Sequence, residues 1–446
     1  MRIKKEVRKI VASVLAFLMV VSLIPVNSLM TKANAASKTT FEGGKTVEDG
    51  TWKGWTWNVF GSSTDVTKAF ATDTGNGGVT LEVTGDKGKI NGSASDQGLN
   101  TFLYELDKSY DFTITAQAKV DTLAANAQAA FGLTIRDNVG AHGNTAKLTA
   151  DKNNFAFVGG YGNQAASGHG NAGYKTTALA HTRLGESPEV GGTYDLAIQK
   201  VGDSVKLYFN GEVAAECSAD DLITDNAMYV GLFAARNAKV TFNNVKLAYT
   251  QDSSSVKVTT NVTAPKKTTY CAGNTYEDVD LTGFKATVSV DGKERKITAS
   301  DCVVDMSNDP FAEVTDAGKL NLLYLGQTIE VPITVIKEVV SDMYIEYMPV
   351  KTDYMVTDTA LDFTGLVGKV VYNSGRTFDL KTLIDSNDTN TKVSDVDFTT
   401  AGNKEVTVSH TYGDVTKEVV IPISVSDATV KNITITAPNT TRFYTD

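Results

Sequence analysis

Asp111-Phe112-Thr113-Ile114-Thr115-Ala116-Gln117-Ala118-Lys119-Val120 alternates apolar and polar side chains, the period of two that marks a strand with one buried face. Working outward, Tyr194 to Gln199 and Val205 to Asn210 flank Gly202-Asp203 and read as a hairpin. Met228 to Phe233 and Lys239 to Ala248 read as two more strands, joined near Arg236-Asn237. No stretch beyond the N-terminal apolar run carries a helical stripe. Long strands with Gly- and Asn-rich connections over about 200 residues specify a large two-sheet sandwich, placed at residues 36–250. Within it, Asn138 to Gly192 is rich in Gly, Ala, Asn and His and shows one clear strand, Phe155 to Val158. That composition predicts long loops at one rim, where binding chemistry tends to collect.

Downstream the chain repeats itself. Pro265, Tyr270, Leu281-Thr282-Gly283 and Val331-Pro332-Ile333-Thr334-Val335 are echoed by Pro349, Tyr354, Phe363-Thr364-Gly365 and Ile421-Pro422-Ile423-Ser424-Val425. A further opening, Ile433-Thr434-Ile435-Thr436-Ala437-Pro438, follows before Asp446. The period is roughly 85 residues, module-sized rather than solenoid-sized, and several short strands per period predict small β-sandwiches. The boundaries fall at 251–257 for a polar linker (Gln251-Asp252-Ser253-Ser254-Ser255), 258–340 and 341–428 for two repeats, and 429–446 for the start of a third. The third is too short to close a core, so its first strand is expected to be frayed over about Val430 to Asp446.

Arg2, Lys4, Lys5, Arg8 and Lys9 precede an apolar run from Ile10 to Ile24, and Ala33-Asn34-Ala35 offers small residues for cleavage before Ala36. Residues 1–35 therefore read as a signal peptide, and the product as secreted, with no membrane insertion after cleavage. The net charge of −10 leaves no basic stripe to release counterions, which argues against nucleic acid as a partner. Cys217, Cys271 and Cys302 are an odd number for an exported chain. They read either as three inert thiols or as a Cys271–Cys302 bridge with one thiol left over.

The repeats resemble bacterial Ig-like modules, which open on a Pro and Tyr phrase and close on a Val-Pro-Ile-Thr-Val-like strand. That resemblance implies a spacer or stalk, without the Cys and Trp signature of antibody domains. Trp55-Thr56-Trp57-Asn58-Val59-Phe60-Gly61, Lys87-Gly88-Lys89-Ile90, Phe131-Gly132-Leu133-Thr134-Ile135-Arg136-Asp137 and Tyr229 to Ala238 resemble a non-catalytic β-sandwich module attached to pectate-lyase-like proteins of Gram-positive bacteria. The fold class is all-β: an N-terminal jelly-roll/concanavalin-like β-sandwich followed by two Ig-like β-sandwich repeats. The partner so implied is a polysaccharide, plant cell-wall pectin in particular.

Trp55 and Trp57 share a strand face. They read either as flat platforms for sugar rings or as plugs for the end of the core. Arg136 and Arg236 end two similar phrases, and a guanidinium suits bidentate capture of a uronate carboxylate; pairing with Asp137 or another local acid is the alternative for Arg136. Strict alternation would bury Arg236 beside Val230 and Leu232, so a bulge or strand end before it is required. Tyr161, between Gly160 and Gly162, is a candidate loop ring. His142, His169 and His181 fit no zinc spacing. Glu186 and Glu189 flank a probable turn at Pro188, unsuited to paired-carboxylate catalysis. No cofactor is expected; structural calcium is conceivable at turns such as Asp385-Ser386-Asn387-Asp388.

Three functional readings follow. The first is a carbohydrate-binding sandwich on an Ig-like stalk. The second is the N-terminal part of a secreted pectate lyase whose catalytic β-helix lies beyond Asp446. The third is a structural adhesin that binds a protein partner.

Overall fold

The computed structural model describes residues 38–61, 64–90, 97–146, 153–162, 164–170, 180–185, 187–259, 262–428 and 433–436. Residues 1–35, the stretch read as a signal peptide, lie outside them. The described residues form two compact units, one containing those up to Val262 with Lys285–Met306 and Asn321–Ile329, the other containing Thr263–Phe284, Ser307–Leu320 and those from Glu330.

The first unit holds fifteen sandwich strands. They are β1 (Thr39–Thr40), β2 (Trp55–Phe60), β3 (Ala69–Asp73), β4 (Val79–Val83) and β5 (Leu99–Asp107); then β6 (Asp111–Leu123), β7 (Ala130–Arg136), β8 (Phe155–Tyr161), β9 (Gln164–Gly170) and β10 (Ala180–Arg183); then β11 (Thr193–Val201), β12 (Ser204–Phe209), β13 (Glu212–Ser218), β14 (Ala227–Ala235) and β15 (Ala238–Thr250). One sheet has the order β1-β3-β4-β15-β6-β11-β12-β13, the other β10-β9-β8-β7-β14-β5-β2. Every pairing recorded within these two sheets is antiparallel.

The alternation along β6 does what it predicts. Phe112, Ile114, Ala116, Ala118 and Val120 enter the core between the sheets, facing Leu133, Ile135, Val230 and Leu232 from the second sheet. The β11–β12 hairpin closes at Gly202-Asp203, with Val201 opposite Ser204. Strand β14 stops at Ala235, and Arg236 and Asn237 both take positive φ, 49° and 43°. This is the strand end that an Arg after Val230 and Leu232 requires, in the turn geometry that matches hairpin twist.

The rim segment differs from its loop reading, because β8, β9 and β10 are all strands in the seven-stranded sheet. Gln164-Ala-Ala-Ser-Gly-His-Gly carries almost no apolar contrast, so its strand is dictated by the neighbouring ladder. Gly132 and Gly159 sit opposite each other in β7 and β8. A Cβ on either would lie 2.0 or 2.1 Å from a carbonyl oxygen of the partner strand, so side chains are excluded where these backbones approach.

The seven-stranded sheet is buried on both faces. Beyond the main core, Phe60, Leu99, Phe155, Phe157 and Phe233 form a second apolar cluster, and all seven residues of β7 are buried. The eight-stranded sheet is covered in turn by chain from the repeat region that belongs to the same unit. Thr115 donates to Ser300 O at 2.7 Å, and Leu325 N donates to Thr113 Oγ1 at 3.2 Å. Val303 and Leu323 pack on Ala197 and Tyr208. The polar linker is an ordered turn: Asp252 caps Ser253–Ser255 and Gln327 donates to Ser253 O at 2.9 Å.

In the second unit the sequence repeat is reproduced in its parallel strand pair and in the contacts of its tyrosine. Thr269–Cys271 runs parallel to Thr334–Ile336, and Asp353–Met355 runs parallel to Ser424–Ser426. The hydroxyls of Tyr270 and Tyr354 donate to Lys267 O and Lys351 O, both at 3.4 Å. Each accepts a later backbone amide, Asp280 N at 3.3 Å and Asp362 N at 2.9 Å. Lys267 and Lys351 lie over the two rings at 4.6 and 4.5 Å. The 341–428 segment closes as two facing sheets, Val340–Tyr347 with Val367–Tyr372 and Thr377–Asp379 in one. Asp353–Met355, Val415–Ser426, Gly402–Tyr412 and Thr391–Val393 make the other. Val370, Val406, Val408 and Ile421 fill the space between them.

Of the third opening, Ile433–Thr436 carries no regular secondary structure, and Ile433 and Ile435 are exposed; the remainder of the expected frayed stretch past Asp427-Ala428 lies outside the described residues. All three cysteines are free thiols, so the Cys271–Cys302 bridge is not formed. Burial pushes the thiols of Cys217 and Cys302 up to about 12.

Candidate functional site

Trp55 and Trp57 do share a face of β2, and it is the face toward the core. Trp55 stacks on Phe102 with centroids 5.3 Å apart and planes 18° from parallel, while Trp52 meets both rings edge-on. Trp57 Nε1 donates to Asn100 Oδ1 at 2.7 Å, and Asn100 Nδ2 donates in turn to Phe70 O and Glu82 O. These rings close the sandwich and are not presented to a ligand.

Arg136 points away from that core, as the alternation of β7 requires, but the face it occupies is itself covered. The chain leaves β7 and returns to the edge strand β2. There His142 Nδ1 accepts from Val59 N at 3.2 Å, Gly143 N donates to Val59 O, and Gly61 N donates to Asn144 O. The guanidinium is wholly buried between the rings of Phe60 and Phe155, 5.6 and 5.2 Å from its Cζ. Its Nη2 donates to Gln97 Oε1 at 2.6 Å and Asn153 Oδ1 at 3.0 Å, and its Nε to Asn138 O at 3.2 Å. Burial lowers its pKa to about 10, which leaves it cationic at neutral pH.

Asp137 is turned elsewhere. Its Oδ1 accepts from Asn154 N at 3.0 Å and its Oδ2 from Thr224 Oγ1 at 3.3 Å. Burial raises it to about 6, against the pull of the nearby Arg136 charge. The guanidinium thus hydrogen-bonds three neutral oxygens, while Asp137, the acid expected to pair with it, acts on it through its charge.

The other candidates lie apart from Arg136. Arg236, half-buried, donates from Nε to Gly88 O at 3.2 Å and from Nη1 to Asn126 Oδ1 at 3.4 Å. Tyr161 ends β8, its ring edge-on to Phe157 and covered by Arg183 at 4.9 Å. His142 packs edge-on to Trp57 at 4.9 Å, and burial lowers its pKa. The side chains of His169 and His181, and all of Glu186, lie outside the described residues. Among the described residues no three His, Cys, Asp or Glu side chains gather to hold a metal.

Gln97, Asn153 and Asn154 were not legible as site residues. They stand just outside strands, and only the fold brings them to the end of β7. What they surround is a buried guanidinium flanked by two aromatic rings, with the carboxyl of Asp137 nearby.

No family model matches the sequence. The chain is 29% identical over 327 residues to "Pectate lyase L" of Thermoclostridium stercorarium, across 72% of this chain and 24% of that protein; it spans about a quarter of that relative's length. Among solved structures it is similar to the carbohydrate-binding module CBM66 from Bacillus subtilis, with 18% identity, 46% of this chain and 98% of that one covered, and a TM-score of 0.28. Lectin II from Ulex europaeus matches with 10% identity, 47% and 97% coverage and a TM-score of 0.29.

Proposed function

We propose that the chain is a carbohydrate-binding β-sandwich carried on Ig-like stalk repeats within an exported bacterial protein that acts on or adheres to a pectic polysaccharide. The observation that carries this reading is the extended similarity to a pectate lyase over 72% of the chain. The all-β architecture agrees with it. The β-sandwich is the sugar-holding part, and it works by tethering: a weak single-site affinity suffices when the stalk fixes the local concentration of polymer. Since the similarity spans only 24% of the relative, a lyase activity would belong to a separate catalytic domain, which is the second reading. Attachment to a cell wall through a further segment is compatible with either.

Affinity electrophoresis of the full chain in pectin, xylan and β-glucan gels tests the proposal. Retardation by pectin is the expected result. Retardation by none of the three would favour a structural adhesin that binds protein.

A further inference from the structure

The Arg136 enclosure has unmet valence of one sign only. Arg136 Nη1 and Asn153 Nδ2 are both buried and without a partner, although each residue is fully withdrawn from solvent. They belong to side chains already joined by the 3.0 Å bond from Nη2 to Oδ1, so each bare nitrogen is one covalent group removed from the same hydrogen bond. Each carries two N–H groups. Among the described residues, Gln97 Oε1 and Asn153 Oδ1 already face Nη2. An unmet buried donor is costly, more so on a charged group, and a buried cation without a hydrogen-bonded counter-ion is costlier still. Among the described residues no carboxylate hydrogen-bonds this guanidinium; the adjacent Asp137 is engaged by Asn154 and Thr224.

From this geometry we infer that Arg136 Nη1 and Asn153 Nδ2 form a receiving site for a carboxylate, and that the carboxylate is carried by a uronic acid. A carboxylate presents two oxygens with several acceptor positions and supplies a negative charge that can accept hydrogen bonds from these donors directly. The flanking Phe60 and Phe155 rings keep the surroundings apolar, which strengthens a charge-assisted hydrogen bond formed there. The inference rests on the proposed glycan-binding role and deepens it, by assigning the acidic group of the polymer to one pair of residues. Arg136 and Asn153 are both withdrawn from solvent, so association is expected to be slow.

The test uses the full chain and three probes: galacturonate, galactose as its neutral counterpart, and acetate. Thermal melts at neutral pH are expected to show a Tm that climbs with galacturonate concentration, as selective binding to the folded state demands, and that does not respond to galactose. Asn153→Asp places a carboxylate where the bare amide stands, giving Arg136 an internal counter-ion. That variant is expected to melt higher than the parent and to lose at least about tenfold in galacturonate affinity, the scale of a charge-assisted contact. Arg136→Met probes the same point but removes a buried core side chain, so Asn153→Asp is the deciding variant.

A galacturonate shift retained in full by Asn153→Asp, or matched by galactose, overturns the site. So does the absence of any shift with galacturonate and acetate alike, which would assign the donors to buried water. A shift with acetate alone overturns the sugar assignment. Failure here is separable from failure of the proposed function. Pectin retardation that survives in Asn153→Asp leaves glycan binding standing and places it on another surface, whereas a galacturonate shift without pectin retardation keeps the site and removes the polymer.

Discussion

Thr115, on the outer face of β6, donates its hydroxyl hydrogen to the carbonyl oxygen of Ser300 at 2.7 Å. Two residues away on the same face, Thr113 Oγ1 accepts from Leu325 N and from Gln199 Nε2, both at 3.2 Å. A sheet face that would otherwise meet water is thus met by chain from the repeat region, sealed by Val303 and Leu323 against Ala197 and Tyr208.

The two threonines should differ in cost. Thr115→Val removes one hydroxyl bond to a carbonyl and is expected to destabilise by about 1 kcal/mol. Thr113→Ala strips the acceptor from two buried donors and should cost about 2 kcal/mol or more. Urea melts give the ordering, and hydrogen exchange at Leu325 gives the mechanism: its amide should exchange faster in Thr113→Ala than in Thr115→Val. Equal protection in both would mean the contact is not sustained in solution.

Tyr270 and Tyr354 make the same two hydrogen bonds and carry the same lysine over the ring. Tyr270→Phe and Tyr354→Phe are therefore expected to cost alike, about 1 kcal/mol each. The shorter Asp362 bond, 2.9 Å against 3.3 Å, puts the larger loss at Tyr354. Because the positions lie in separate repeats, the double variant should show additive losses within about 0.5 kcal/mol, measured by denaturant titration. Strong coupling would show that the repeats do not carry this corner independently.

Much of this was legible in the chain because strand alternation and turn chemistry are local. The inward set of β6, the hairpin at Gly202-Asp203 and the strand end ahead of Arg236 each follow from residue type and spacing. The Arg136 environment does not. Gly132, Thr134 and Arg136 oppose Phe131, Leu133 and Ile135 along β7, a pattern that reads as one buried and one solvated face. The supposedly wet face is dry because the return of the chain to Val59 and the side chains of Gln97 and Asn153 cover it. Such covering is a property of tertiary structure. β9 was hidden for a different reason, since Ala and Gly residues give periodicity nothing to register.

Asn100 is the polar keystone of the tryptophan cluster. It accepts from Trp57 Nε1 and donates to Phe70 O and Glu82 O, so its two ends tie β2 to two strands of the facing sheet. Asn100→Ala should cost about 3 kcal/mol or more, because a buried indole N–H and two carbonyls lose partners together. Asn100→Asp keeps the acceptor but loses both donations and buries a charge; it should be at least as damaging. Fluorescence-monitored urea melts of both variants would check this, and near-parental stability of Asn100→Asp would contradict it.

Asp137 makes stability depend on pH in an unusual direction for a carboxylate. Burial raises it from 3.8 to about 6, so the folded chain binds this proton more tightly than the unfolded chain does. Its contribution is complete below about pH 4 and is lost as the pH rises through about 6. A gap of about two units corresponds to at most about 3 kcal/mol at 1.4 kcal/mol per unit. Asp137→Asn keeps an oxygen for Asn154 N and removes the titration. The variant should match the parent near pH 4 and exceed it by up to that amount above pH 7, in urea melts at each pH. Carboxyl-carbon NMR of the parent gives the direct reading: an Asp137 midpoint near 6 is expected, and one below about 4.5 would show that solvent or Arg136 holds the charge more effectively than burial opposes it.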